Sequence, residues 1–492
     1  MKLQPSVNVN SRPVKEPGAI AEGVGMVFKP VDRRWFMRAT AGSLVAGLDM
    51  SPWVASSLRA EPPQMIWNHN AENAGSHPYP GHEEADIWVF SGQSNSQGWG
   101  MLKAPVEPDA RILFFDANNQ WVVAKEPLNP RFTSWVPDSV VENVLLQRTG
   151  VPYPSGAPAE LFVKQMKRDQ VVMGGVGPGL AFAKHLVRFV DRPLGLVYCG
   201  VGGSPIKSWN PAVKGSNYEA MFRRIAMVGG KIKGLIWYQG ESDAMTPGAE
   251  DVYEAALLQL FDSVRKDTGL PALPILCVQL ARFVWNYEAG HAHAFEKIRD
   301  IQRRVSTLRP NVHAVSALDL PLEDPAHVSF EGQQRLGRRL AELALSHVYG
   351  QADHGKTIDV KSIEVVQPEK RRPMVRIRFS GVSGKLSAPG LPTGFELRTD
   401  LPRVEPKGPS AEAPMHIVYR VDFDPTDSAS IILGICDNAL INSGGAKFHP
   451  LDEPFSIVYG PGMSPYVNIV DEKDIPIPAF GPVAASSTAS KQ

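Results

Sequence analysis

Four short segments of the sequence hold the residues best suited to covalent chemistry: Gly92-Gln93-Ser94-Asn95, Gly202-Gly203-Ser204, Gln239-Gly240-Glu241-Ser242-Asp243 and Asp324-Pro325-Ala326-His327. A serine hydroxyl is a poor nucleophile until a neighbouring base takes its proton, and a histidine does so best when a carboxylate fixes its tautomer. Asp324 and His327, three residues apart around a proline, can bring carboxylate and imidazole together without long-range packing. Ser94 then supplies the hydroxyl. On residue types alone a plainer reading stands beside this one, with Ser94 and Asp324 as turn residues, Ser329 as a helix N-cap and His327 at the surface. Glu323 is a second acid able to take the place of Asp324 as the orienting group.

The elements that would position these residues follow from periodicity. Short apolar runs at 86–91, 194–199, 234–238, 274–280 and 312–318 alternate with helical patterns at 178–191, 216–228, 249–267, 293–307 and 329–348. Near-continuous apolar strands predict a parallel sheet covered on both faces. The expected fold is therefore α/β, a three-layer α/β/α sandwich with a five-stranded parallel sheet over 83–350. In such sheets ligands bind beyond the carboxyl ends of the strands, and each of the four segments follows a strand. Residues 104–172 are longer than an ordinary connection and read as an insertion, a hairpin around 113–123 and then a Pro/Gly-rich excursion bordering the crevice.

After residue 356 the pattern changes to period two: Val375, Ile377 and Phe379 alternate with Arg376 and Arg378, and Ile417, Tyr419, Val421 and Phe423 repeat it. This predicts antiparallel sheet with one wet face, a small β-sandwich-like domain over 357–470. The segment 471–492, with prolines and then Ala-Ser-Ser-Thr-Ala-Ser-Lys-Gln, reads as a disordered tail.

Composition excludes more than it identifies. The 51 Lys and Arg balance 51 Asp and Glu, so no strong field draws the chain to nucleic acid or an anionic membrane. Glycine and proline, 43 of each, favour a loop-rich enzyme over a helical bundle. Cys199, Cys277 and Cys436 lie far apart, show no metal-ligand spacing and read as buried apolar residues. Near the N-terminus, Asp32-Arg33-Arg34-Trp35-Phe36-Met37-Arg38 precedes a weakly apolar stretch at 39–48. That stretch is too short to span the bilayer as a helix, and the segment 1–60 resembles a twin-arginine export signal and leader. The expected location is periplasmic or extracellular.

Taken together, the segments resemble the SGNH hydrolases, with a flavodoxin-like sheet, and within them the sialate O-acetylesterase-like carbohydrate esterases. The likeness is carried by Ile87-Trp88-Val89-Phe90-Ser91-Gly92-Gln93-Ser94-Asn95-Ser96-Gln97-Gly98, Gly177-Pro178-Gly179-Leu180-Ala181-Phe182-Ala183, Gly202-Gly203-Ser204 with Trp209, Trp237-Tyr238-Gln239-Gly240-Glu241-Ser242-Asp243, and Asp324-Pro325-Ala326-His327-Val328-Ser329 with Gly332. More loosely, Gly394-Phe395-Glu396-Leu397 and Cys436-Asp437-Asn438-Ala439 resemble a β-rich appendage found on many such esterases. The resemblance implies a catalytic triad of Ser94, His327 and Asp324. It also implies an oxyanion hole made by the backbone N–H groups of Ser94 and Gly203 and the side-chain amide of Gln239. Gln93, Asn95, Glu241 and Asp243 then support the site, the two acids by holding the Gln239 loop through backbone hydrogen bonds.

The implied activity is removal of O-acetyl groups from a sugar or polysaccharide through an acetyl-enzyme, chemistry that requires neither metal nor organic cofactor. Two other readings are a lipase-type or thioester hydrolase on the same fold and a non-catalytic carbohydrate-binding protein. Gly92-Gln93-Ser94-Asn95-Ser96 lacks the second glycine of the α/β-hydrolase elbow. His291 and His293 look like a metal pair but read as a solvated loop or helix start. Arg303-Arg304 and Arg338-Arg339 read as water-facing. Gly174-Gly175-Val176-Gly177-Pro178-Gly179, without a following Walker lysine, reads as the entry to a helix. Trp99, Trp209 and Trp285 either stack on sugar rings or fill core.

Overall fold

The apolar runs become strands because each is buried along its length, between helices that supply the facing side chains. The computed structural model of the protein describes residues 84–116, 119–129, 175–284, 290–366, 373–399, 417–436 and 454–487. The leader at 1–60, most of the excursion before residue 173, and Trp285 lie outside the described residues.

In chain order the catalytic region runs β1 (Asp86–Gly92), α1 (Ser94–Gln97), β2 (Ile112–Phe115), β3 (Trp121–Val123), α2 (Gly179–Leu186), β4 (Leu194–Tyr198), α3 (Asn217–Met227), β5 (Gly234–Tyr238), α4 (Glu241–Ala244), α5 (Ala249–Thr268), β6 (Ile275–Gln279), α6 (His291–Leu308), β7 (Val312–Ser316) and α7 (Phe330–His347). The sheet order is β3-β2-β4-β1-β5-β6-β7. The five anticipated strands are contiguous and parallel, β4-β1-β5-β6-β7, with β7 at one edge of the sheet. The hairpin widens it to seven: β2 pairs parallel with β4, and β3 returns antiparallel at the edge. β1 lies between β4 and β5, so the chain departs from it to both sides, and the crevice above its end is the topological switch point.

Side-chain size sets how closely the layers approach. Helix α7 lies directly against the entry to α2, where a Cβ on Gly337 would sit 2.4 Å from Pro178 O. Ser329 caps α7 as its residue type predicts, accepting from Gly332 N–H, and Leu336, Leu340 and Leu343 are buried.

The second region contains β8 (Asp359–Val366), β9 (Met374–Ser380), β10 (Phe395–Thr399), β11 (Val418–Phe423), β12 (Ser430–Ile435), β13 (Phe455–Tyr459), β14 (Phe480–Ala484) and β15 (Ser486–Ser487). These make a five-stranded sheet, β11-β12-β9-β8-β15, and a three-stranded sheet, β10-β13-β14. The expectation of a disordered tail from residue 471 is corrected over 471–487. Ile475, Ile477, Ala479 and Phe480 are buried, β14 pairs with β13, and β15 with β8. Among the prolines that suggest disorder here, Pro482 lies in β14, an edge strand, where a missing N–H costs no ladder bond.

This region packs on the catalytic one through buried arginines and a glutamine. Gln279 exchanges two hydrogen bonds of 2.8 Å with Ala479. Arg299, fully buried, donates to Ala281 O and Met463 O, each at 2.8 Å. Arg339 holds Asp319 at 2.7 and 2.6 Å and donates to Asp474 O, while Arg303 pairs with Asp359 at 2.6 Å. The water-facing reading of the arginine pairs is thus corrected for Arg303 and Arg339. Adjacent residues on a helix point about 100° apart, so one arginine of each pair turns inward, while Arg338 is exposed.

Candidate active site

β1 carries Ser94 to the crevice, and its end is shaped by one glycine. Gly92 has φ 130°, and a Cβ there would lie 2.0 Å from Tyr238 O on the neighbouring strand. The chain turns at once into α1, with Gln93 N–H donating to Tyr238 O at 2.9 Å. Ser94 heads this single helical turn and is 7% exposed.

The loop after β7 brings His327 to Ser94. His327 Nε2 lies 2.9 Å from Ser94 Oγ, and Nδ1 lies 2.9 and 2.7 Å from the two oxygens of Asp324. The Asp-x-x-His spacing works because the Asp324 carboxylate also accepts the backbone N–H groups of Ala326 and His327, both at 2.8 Å. Burial pushes the Asp324 carboxyl up, but the hydrogen bond and charge of His327 outweigh it and hold the group below its ordinary range. Glu323, the alternative orienting acid, points elsewhere: its carboxylate accepts from Met101 N–H and Phe330 N–H.

Asn95 fastens the serine turn to the histidine loop. Its amide nitrogen donates to Glu241 Oε1 at 2.8 Å and to Ala326 O at 3.2 Å, and its oxygen accepts Val328 N–H at 3.0 Å. One side chain thus holds both sequence neighbours of His327. Gln333, on the first turns of α7, donates to Asn95 O at 3.2 Å. The sequence offers no local signal for Gln333, which is 238 residues away.

The third strand end is tied together differently from expectation. Gln93 Oε1 accepts Gly240 N–H and Ser242 N–H at 3.3 Å each. Asp243 accepts Ile206 N–H at 2.9 Å and the Gln239 amide. Gln239 Nε2 also donates to Ser204 O at 3.1 Å, and the residue is fully buried. The assignment of Gln239 as an oxyanion donor is therefore corrected, because both hydrogens of its nitrogen point at acceptors inside the protein. It secures the Gly203-Ser204 turn instead. Gly203, at φ 69°, lies in that turn, and neither its N–H nor that of Ser94 donates to a described residue.

The two acids divide their work. Asp243 ties the Gln239 side chain to Ile206 N–H, and burial, only partly offset by the Gln239 and Ile206 hydrogen bonds, lifts its carboxyl to about 6. Glu241 holds the Asn95 side chain. Burial raises its carboxyl as well, against the Asn95 hydrogen bond.

The tryptophans separate. Trp99 stacks flat on the His327 ring, centroids 4.2 Å apart and planes 6° from parallel, a role that neither sugar stacking nor core filling anticipates. Trp209 is core, 1% exposed, with its indole N–H on Ser204 Oγ at 2.9 Å. His291 and His293 begin α6. Val284, 52% exposed, donates its N–H to Pro325 O at 2.7 Å and so borders the Asp324–His327 loop.

Comparison with known proteins identifies the family. The family model described as carbohydrate esterase, sialic acid-specific acetylesterase (SASA) matches residues 84–346. A protein of Arabidopsis thaliana named as a probable carbohydrate esterase is 30% identical over 284 residues, covering 53% of this chain and 90% of the relative. The X-ray structure of that Arabidopsis protein is 29% identical and covers 54% of this chain and 99% of its own, with a TM-score of 0.40. A crystal structure described as a novel carbohydrate acetylesterase from Xanthomonas citri is 19% identical, covers 80% of each chain and has a TM-score of 0.53. That last likeness is one of fold, and its span exceeds the catalytic region.

Proposed function

The chain belongs to the sialic acid-specific acetylesterase family of carbohydrate esterases and is a carboxylic ester hydrolase; from this we propose that it removes O-acetyl groups from carbohydrate by a Ser94-His327-Asp324 triad. The observation that carries the reading is the 2.9 Å contact between Ser94 Oγ and His327 Nε2, backed by the Asp324 carboxylate on the far ring nitrogen.

In the first half of the cycle Ser94 Oγ attacks the acetyl carbonyl carbon while His327 takes its proton. The carbon–oxygen bond to the sugar then breaks, and His327 returns that proton to the departing sugar oxygen, leaving acetyl-Ser94. In the second half His327 takes a proton from water, the resulting hydroxide equivalent attacks the acetyl carbon, and acetate leaves as Ser94 recovers its hydrogen. The oxyanion formed in both halves faces the backbone N–H groups of Ser94 and Gly203. A donor of this kind typically contributes about 10²–10³ in turnover.

The Arg33-Arg34 segment supports export from the cytoplasm as part of the same proposal. The test is acetate release from O-acetylated sialosides and acetylated xylan, beside simple esters of increasing acyl length. An acetylesterase loses activity sharply beyond about two to four acyl carbons because one added methylene is worth about 1–3 kcal/mol in a fitted pocket. Equal or rising activity on long acyl chains favours the lipase-type reading, and inertness on every ester favours sugar binding alone.

A further inference from the structure

Outside the triad and its supports, three side chains from separate segments converge where the catalytic region leads into the β-rich one. They are His185 on α2, Glu342 on α7 and His354 in the loop after α7. His185 Nε2 lies 2.7 Å from Glu342 Oε1, and His354 Nδ1 lies 3.0 Å from Glu342 Oε2. The two ring nitrogens and a carboxylate oxygen all fall within 4.8 Å of one another. Glu342 is buried and further fixed by Gly355 N–H at 2.9 Å. The Phe189 ring stands beside both imidazoles, 5.4 and 4.7 Å between centroids. Both histidines retain a solvent-exposed edge, at 13% and 12%.

Two imidazole nitrogens and one carboxylate oxygen are the donor types that a borderline divalent ion prefers. Metal–ligand bonds of about 2.0–2.1 Å in tetrahedral geometry set neighbouring donors roughly 3.3 Å apart. The two nitrogen–oxygen distances, each to a different oxygen of Glu342, need to open by roughly 0.6 and 0.3 Å to reach that spacing, and a small turn of the carboxylate presents one oxygen to both rings. The exposed edges leave the fourth position to water, and the rigid Gly355 contact orients the carboxylate as outer partners of metal sites do.

We propose that His185, Glu342 and His354 form a binding site for a zinc-class divalent ion. The ion joins α2, α7 and the start of the connection into β8, and so fixes how the chain leaves α7 toward the β-rich region. Its role is structural, since its three ligands belong to neither the triad nor the residues that hold it.

The experiment is calorimetric titration of zinc chloride into the untagged, chelator-treated full chain, with His185→Gln and His354→Gln beside it. Glutamine can keep a hydrogen bond to Glu342 while losing the imidazole ligand. The wild type binds one zinc per chain and melts at a temperature that rises with zinc concentration. Each variant binds more weakly by at least the ~10–100-fold that loss of even an outer-shell partner costs. A wild type with no stoichiometric binding, or variants that bind as it does, overturns the proposal. If a variant fails to fold, X-ray absorption of the zinc-loaded wild type decides: two imidazoles with oxygen ligands support the site, and a single imidazole or none overturns it.

Discussion

Replacing Asn95 by alanine tests the idea that one buried amide holds the base to the nucleophile. Asn95 is 1% exposed and spans three partners, Glu241 at 2.8 Å, Val328 N–H at 3.0 Å and Ala326 O at 3.2 Å. Each buried group left without a partner costs about 1–3 kcal/mol, so with three partners Asn95→Ala is expected to lose roughly 3–9 kcal/mol. That is a large part of the about 5–15 kcal/mol that holds a typical domain together. The loss in turnover has a separate cause. Ala326 and Val328 flank His327, and a shift of the base by about 1 Å lowers the rate by on the order of 10². Urea unfolding gives the first quantity, and kcat for acetate release in folded protein gives the second. Glu241→Gln serves as the control: its amide oxygen still accepts from Asn95, so stability stays within about 1 kcal/mol of wild type by the net worth of one hydrogen bond. Asn95→Ala with stability within that same margin and unchanged kcat would refute the strut.

Two further outcomes follow from contacts of single residues. Trp99→Leu removes the aromatic face lying 4.2 Å from the His327 ring; with a cation–π contribution of about 0.5–1 kcal/mol, kcat for acetate release falls roughly 2–5-fold and KM holds, whereas a rise in KM alone would assign Trp99 to substrate. Glu126 is 3% exposed, and burial lifts its carboxyl from 4.5 to about 8. The folded state therefore holds a proton that the unfolded state releases, and stability present below about pH 4.5 is lost as pH rises toward 8. Glu126→Gln removes this dependence, and its advantage over wild type in urea unfolding grows from near zero at about pH 4 to at most about 5 kcal/mol above pH 8; parallel pH profiles would contradict it.

What was legible in the sequence was local. The five strands β4, β1, β5, β6 and β7 announce themselves as apolar runs, and Ser94, Gly203 and Gln239 stand out because they follow such runs directly. Asp324 and His327 are close enough in sequence for their contact to be read from spacing. The features that escaped depend on partners far along the chain. The two hydrogens of the Gln239 amide are taken by Ser204 and Asp243, and nothing in Trp-Tyr-Gln-Gly-Glu tells an inward amide from one facing substrate. Trp99 meets His327 across more than two hundred residues. Arg303 and Arg339 look like surface charges until Asp359, Asp319 and Asp474 are brought to them. The segment 471–487 resembles a tail in composition, yet two sheets elsewhere in the chain receive it as their last strands.

The central claim is that Ser94 carries the acetyl group. The most direct measurement is intact-mass and peptide analysis of protein quenched during turnover of a rapidly acylating acetyl ester, with Ser94→Ala in parallel and steady-state acetate release on both. An acetyl group mapped to Ser94, absent from the variant, together with a fall in kcat of several orders of magnitude, on the scale of about 10⁴–10⁶ for loss of a serine nucleophile, is the predicted result. Acetate release by folded Ser94→Ala at a rate near that of wild type would contradict the account.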